Sequence, residues 1–117
     1  MNPLNSTTKF VNLTPHKITV VNEAGETVLE VAPSGQVARV AISKVISKVE
    51  VGKIGVIPIY NIVKGDVVGM PEEVEGEIYI VSGMVREAIY GKPYVVSPGE
   101  LVRNKEGQPI GCLGFFQ

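Results

Sequence analysis

The chain has 117 residues, enough for one ordinary domain with a core of its own. Its 11 basic and 12 acidic residues leave a net charge of −1. That balance supplies no electrostatic pull toward DNA or RNA and is too weak for an acidic nucleic-acid mimic. No apolar run reaches the ~18–20 residues of a membrane helix, and a single cysteine, Cys112, cannot close an internal disulfide. The expectation is a cytoplasmic protein with no nucleic-acid or membrane partner.

Apolar residues make up 44% of the chain, so a folded domain is expected. Val and Ile dominate, with five Leu and no Trp. β-Branched side chains suit a pleated, half-buried surface and lose rotamer freedom in helices. Thirteen Gly and eight Pro supply turns. The fold class is therefore α+β, mostly β, with several hairpins and one short helix in a β-α-β unit.

Residues 1–8 are small and polar and read as a flexible N-terminal arm. A single β-rich domain is expected over 9–117. A short apolar run at 10–13 stops at Thr14-Pro15-His16. Strands at 18–21 and 27–31 flank a turn around Gly25, which is a hairpin signal. Ala32-Pro33-Ser34-Gly35 breaks the chain, and 36–42 reads as another strand. Residues 45–51 and 55–63 form a second hairpin around Gly52-Lys53. Ile42, Val45, Ile46 and Val49 also match a helical stripe, but their β-branching favours strand. Residues 65–75 read as a polar loop.

The segment from 77 is the most distinctive. A strand at 77–81 ends at Ser82, a good N-cap. Met84, Val85, Ala88 and Ile89 then share one helical face, and Gly91 and Pro93 stop the helix. Tyr94-Val95-Val96 is the next strand. Ser97-Pro98-Gly99-Glu100 fits a type II turn, with Pro second and Gly third. A last hairpin joins 101–104 to 109–115.

Chemistry-bearing residues are sparse. His16, the only histidine, sits in a turn, where an imidazole can act as general base, nucleotide contact or metal ligand or hold the turn; structure or ligand contact is expected here, not acid–base catalysis. No Gly-x-Ser-x-Gly elbow accompanies any serine. Cys112 reads as a small buried hydrophobe. One Cys and one His do not make a zinc site, and the acidic run Glu72, Glu73, Glu75 and Glu77 reads as a solvated loop. No catalytic residue, metal or cofactor is expected. Arg39 and Arg86 carry the planar fork that grips phosphate or carboxylate. Ser82-Gly83 opens a helix, where free amides attract anions. Arg86 lies one turn further along.

The segments Asn12-Leu13-Thr14-Pro15-His16, Ala32-Pro33-Ser34-Gly35 with Ala38-Arg39-Val40, residues 76–82 and the closing 104–115 together resemble a family of small phage and prophage proteins. The likeness runs over most of the chain. It departs near 97, where the family reads Pro-Asp-Thr-Gly-Pro, so no role is carried to that loop. Small β-rich phage proteins include anti-defence sponges that sequester nucleotide-derived immune signals. The resemblance thus implies capture of a small anionic or nucleotide-like ligand. A chain this short and this rich in β-branched residues leaves sheet edges or apolar faces to cover, so a homo-oligomer is expected. Thr14, His16, Arg39, Ser82, Gly83 and Arg86 are the candidate contacts. Two rival readings stand beside it: a protein-interaction module without a small-molecule pocket, and a small hydrolase using His16.

Overall fold

The computed structural model describes residues 8–117, so residues 1–7 of the expected N-terminal arm lie outside the described chain. Its strands are β1 (Lys9–Asn12), β2 (Ile18–Val21), β3 (Thr27–Val31), β4 (Arg39–Val51), β5 (Gly55–Val68) and β6 (Glu77–Ile80). Helix α1 (Gly83–Ala88) follows, then β7 (Val95–Arg103) and β8 (Pro109–Phe116). Six strands form one mixed sheet in the order β1-β6-β7-β8-β2-β3. The other two, β4 and β5, pair only with each other. The mostly β class with one short helix between strands is what the composition indicated.

The β-α-β unit is β6-α1-β7, with Tyr79 opposite Val95 in parallel register. Ser82 caps the helix as expected, its hydroxyl accepting from the Val85 amide at 3.2 Å. The helix is shorter than its stripe suggested. It ends at Ala88 and gives way to a turn through Gly91. Val85 is buried and Ile89 packs on the core, but Met84 stays 44% exposed.

Alternation along β6 explains the core. Tyr79 and Val81 join Leu13, Ala38, Val85 and Val95 on the side that α1 covers. Ile78 and Ile80 are buried as well, so this inner strand is apolar on both faces, as a strand flanked by parallel neighbours should be. In the neighbouring strand, Phe10 opposite Ile78 stacks on Phe115 with ring centroids 5.4 Å apart. Cys112 is buried, its thiol directed at the Thr19 carbonyl at 3.5 Å, in keeping with a packing role.

Two local expectations are corrected. Ser97-Pro98-Gly99-Glu100 is no turn but the middle of β7, where Pro98 lies opposite Phe115 and Glu100 opposite Leu113. Sheet pairing wins over local turn preference because Gly99 lets the backbones approach. A Cβ there would sit 2.1 Å from the Leu113 carbonyl oxygen. The supposed polar loop from residue 65 is likewise strand as far as Val68. The interrupted strands read at 36–42, 45–51 and 55–63 are instead one long hairpin, 13 residues out and 14 back.

Only the base of that hairpin touches the core. Ala38 is buried there, and Val40, Val67 and Met70 pack against it. Gln36 Nε2 donates to the Gly69 carbonyl at 2.7 Å, tying the two legs together. Beyond residue 42 the hairpin is exposed along almost its whole length. The radius of gyration is 18.3 Å, whereas a compact chain of this size has about 13 Å.

Candidate functional site

Residues 82–97 fold back on themselves through strand, cap, helix and turn, and the end of β8 returns beside them. The result is a cleft of about 300 Å³ lined by Arg86, Ile89, Tyr90, Gly91, Lys92, Pro93, Val95 and Gln117. That volume is at the lower end of small-molecule pockets. The cleft's charged side chains are two cations, Arg86 and Lys92.

Arg86 is fixed rather than free. Its Nε donates to Ser97 Oγ at 2.8 Å, and Ser97 is 2% exposed. One terminal nitrogen approaches the Gln117 main-chain oxygen at 3.5 Å. These contacts satisfy part of the guanidinium and hold its plane, leaving N–H groups on the fork for an acceptor in the cleft. The Lys92 ammonium lies 6.0 Å from the centre of the Tyr94 ring. Tyr90 is 81% exposed, an aromatic face in the open with no packing role. Together these groups can neutralise an anion and stack on a flat ring.

The six residues singled out from sequence fall in separate places. Arg86 lines the cleft. Ser82 and Gly83, at the other end of the short helix, do not. The Ser82 hydroxyl is used on the Val85 amide. Arg39 is exposed at the foot of β4, opposite Val68.

Thr14 and His16 belong to a clamp built on Asn12, which is 1% exposed. Asn12 Nδ2 donates to the His16 carbonyl at 2.7 Å and to the Val31 carbonyl at 3.0 Å. Its Oδ1 accepts from the Thr14 amide at 2.9 Å and lies 2.7 Å from the Thr14 hydroxyl. The Asn-Leu-Thr-Pro-His segment thus welds the turn between β1 and β2 to β3. His16 serves it through its main-chain oxygen. Its exposed ring makes no hydrogen bond among the described residues.

Sequence reasoning missed Tyr90, Lys92 and Gln117. An exposed aromatic and a lysine around the helix-stopping Gly91 were a usable signal. Gln117 was not, because its approach to Arg86 depends on how β8 pairs. A second hollow of about 310 Å³, between Lys17, Thr19, Leu101 and Ile110, has one cation and lies away from α1. Among the described residues no group of three or more His, Cys, Asp or Glu side chains is placed to hold a metal ion. One titration is displaced. Burial pushes the Tyr79 hydroxyl above its ordinary range, and its hydrogen bond to Glu77, 2.9 Å long, pushes the same way.

No protein-family model, curated protein or solved structure matches this chain.

Proposed function

We propose that this protein binds a small anionic, nucleotide-like molecule in the Arg86 cleft and holds it without transforming it. In the cytoplasm of an infected cell this is the work of a phage-type sponge for a nucleotide-derived immune signal. The observation that carries the reading is the pairing of Arg86 and Lys92 on a cleft lined by no acidic side chain. A phosphate there meets a held guanidinium and an ammonium, while a base can lie on Tyr90 at the rim. Removing a charge-assisted hydrogen bond to a phosphate costs about 1.5–3 kcal/mol, or roughly 10- to 100-fold in affinity.

Calorimetry with nucleoside mono- and diphosphates and cyclic dinucleotides tests the reading. Lys92→Ala is the better probe. Arg86→Ala also strips the partner from the buried Ser97 hydroxyl. The expected result is binding of at least one nucleotide by the wild type and a loss of tenfold or more in Lys92→Ala. No binding across the panel, or equal affinity in both proteins, overturns the reading.

A further inference from the structure

Gln117 lies just past the last rung of the β7-β8 ladder, Ser97 opposite Phe116, and is exposed where it lines the cleft. It joins two other lining residues. Its side-chain Nε2 donates to the Pro93 carbonyl at 2.5 Å, and its main-chain oxygen accepts from Arg86 Nη1 at 3.5 Å. The first contact is close, and the second is at the outer limit of a hydrogen bond. Arg86 Nε is held more firmly, on the buried Ser97 hydroxyl at 2.8 Å. Of the five N–H groups of the guanidinium, one is thus committed to the fold and one rests on a weak, exposed acceptor.

We infer that Gln117 is a strap over the anion position: its main-chain oxygen sits where a phosphate oxygen meets Arg86, and a ligand binds by displacing it. The inference rests on the nucleotide reading of the cleft. Chemistry sets the direction of the exchange. Both oxygens are acceptors for the same guanidinium, but a phosphate oxygen makes charge-assisted bonds, shorter and about twice as strong. Ser97 does not exchange in this way, because its buried hydroxyl would lose its partner with no water to replace it. Its hold on Nε also closes the side-on approach, in which a ligand takes Nε together with a terminal nitrogen. A two-point grip on phosphate then needs both terminal nitrogens, and Gln117 competes for one of them. The glutamine side chain is what fastens the strap. Its amide on Pro93 keeps the main-chain oxygen beside Arg86, so cutting the side chain short frees the guanidinium. One hydrogen bond given up on entry corresponds to roughly 2- to 12-fold in affinity.

Inorganic pyrophosphate, an anion with no base to stack, is the probe, titrated into the nitrogen-15-labelled full chain and followed by nuclear magnetic resonance. Gln117→Ala should bind it roughly 2- to 12-fold more tightly than the wild type. In the wild type the side-chain amide signals of Gln117 should move along the same saturation curve as the Arg86 amide. The Arg86 Nε–H, kept on Ser97, should stay slow to exchange with water throughout. A residue that merely lines the cleft gives the opposite result, since its removal leaves affinity equal or lower. Saturation at Arg86 in the wild type with equal or weaker binding by Gln117→Ala, or with Gln117 side-chain signals that stay in place, overturns the strap and leaves the reading of the cleft standing. No saturable shift at Arg86 in either protein, with pyrophosphate or with any nucleotide of the panel, overturns that reading and the strap with it.

Discussion

Replacing Asn12 with Ala should cost this small domain a large part of its stability. The side chain is 1% exposed and reaches two carbonyls, one amide and one hydroxyl. A net hydrogen bond is worth about 1 kcal/mol. His16 is exposed and Thr14 and Val31 are half-exposed, so water takes over part of what is lost. That discount leaves roughly 2–4 kcal/mol out of a total of about 5–15. For a domain of this size the melting temperature should fall by about 8–16 °C. Urea denaturation gives the free energy, with an unchanged slope showing that unfolding remains cooperative. Asn12→Asp separates the donors from the acceptor. It keeps an oxygen for Thr14 but turns a carboxylate toward two carbonyl oxygens, so it should be worse than Ala at neutral pH and recover as acid protonates it. Thr14→Val, which removes only the hydroxyl, should cost about 1 kcal/mol. If Asn12→Ala loses less than about 0.5 kcal/mol, the segment is no clamp and its four contacts do not hold the turn.

The alkaline limb of stability should belong to Tyr79. Its hydroxyl titrates above the ordinary value near 10 in the folded state and near 10 once unfolded. Unfolding therefore releases a proton above pH 10, and stability falls as pH climbs through that range. Tyr79→Phe should cost about 1 kcal/mol at neutral pH and flatten that limb, as urea melts at pH 8 to 11 will show. Gly69→Ala should destabilise by about 2 kcal/mol or more, because φ there is +85° and a Cβ would lie 2.3 Å from the Val37 carbonyl oxygen. Thermal unfolding followed by circular dichroism reads this directly. Tyr90→Ala should leave the melting temperature unchanged within error while weakening nucleotide binding by about 5- to 100-fold, the value of a base stacked on an aromatic ring. Equal affinity would remove Tyr90 from the site.

Local signals made much of the fold legible. The Ser82 cap, the apolar positions after it and the stop at Gly91 marked the helix and the strands on either side. Gly25 marked one hairpin, and the paired runs at 101–104 and 109–115 marked another. Signals failed where pairing between distant residues decides. Pro98-Gly99 looks like a turn in isolation, yet β8 holds it extended. Ser43-Lys44 and Gly65-Asp66 look like breaks, yet each lies within a continuous strand of the long hairpin. Its two faces differ in charge rather than in hydrophobicity, so the alternation that marks half-buried strands is absent. Of the cleft, only Arg86 was visible in advance. Its anchor, Ser97, is eleven residues away and becomes a neighbour only once α1 lies over β7. The Asn-Leu-Thr-Pro-His segment was legible as a feature, and its side-chain bonds serve the fold.

The central claim is that an anion binds at Arg86, and mapping it residue by residue tests that most directly. A nucleoside diphosphate titrated into nitrogen-15-labelled protein should shift the amide signals of Arg86, Tyr90, Gly91 and Lys92 together, along one saturable curve, with Ser97 following. The signals of Thr14, His16 and Arg39 should stay in place. Shifts centred on those three residues, or no saturable shift around Arg86 with any phosphate-bearing ligand, would contradict the account.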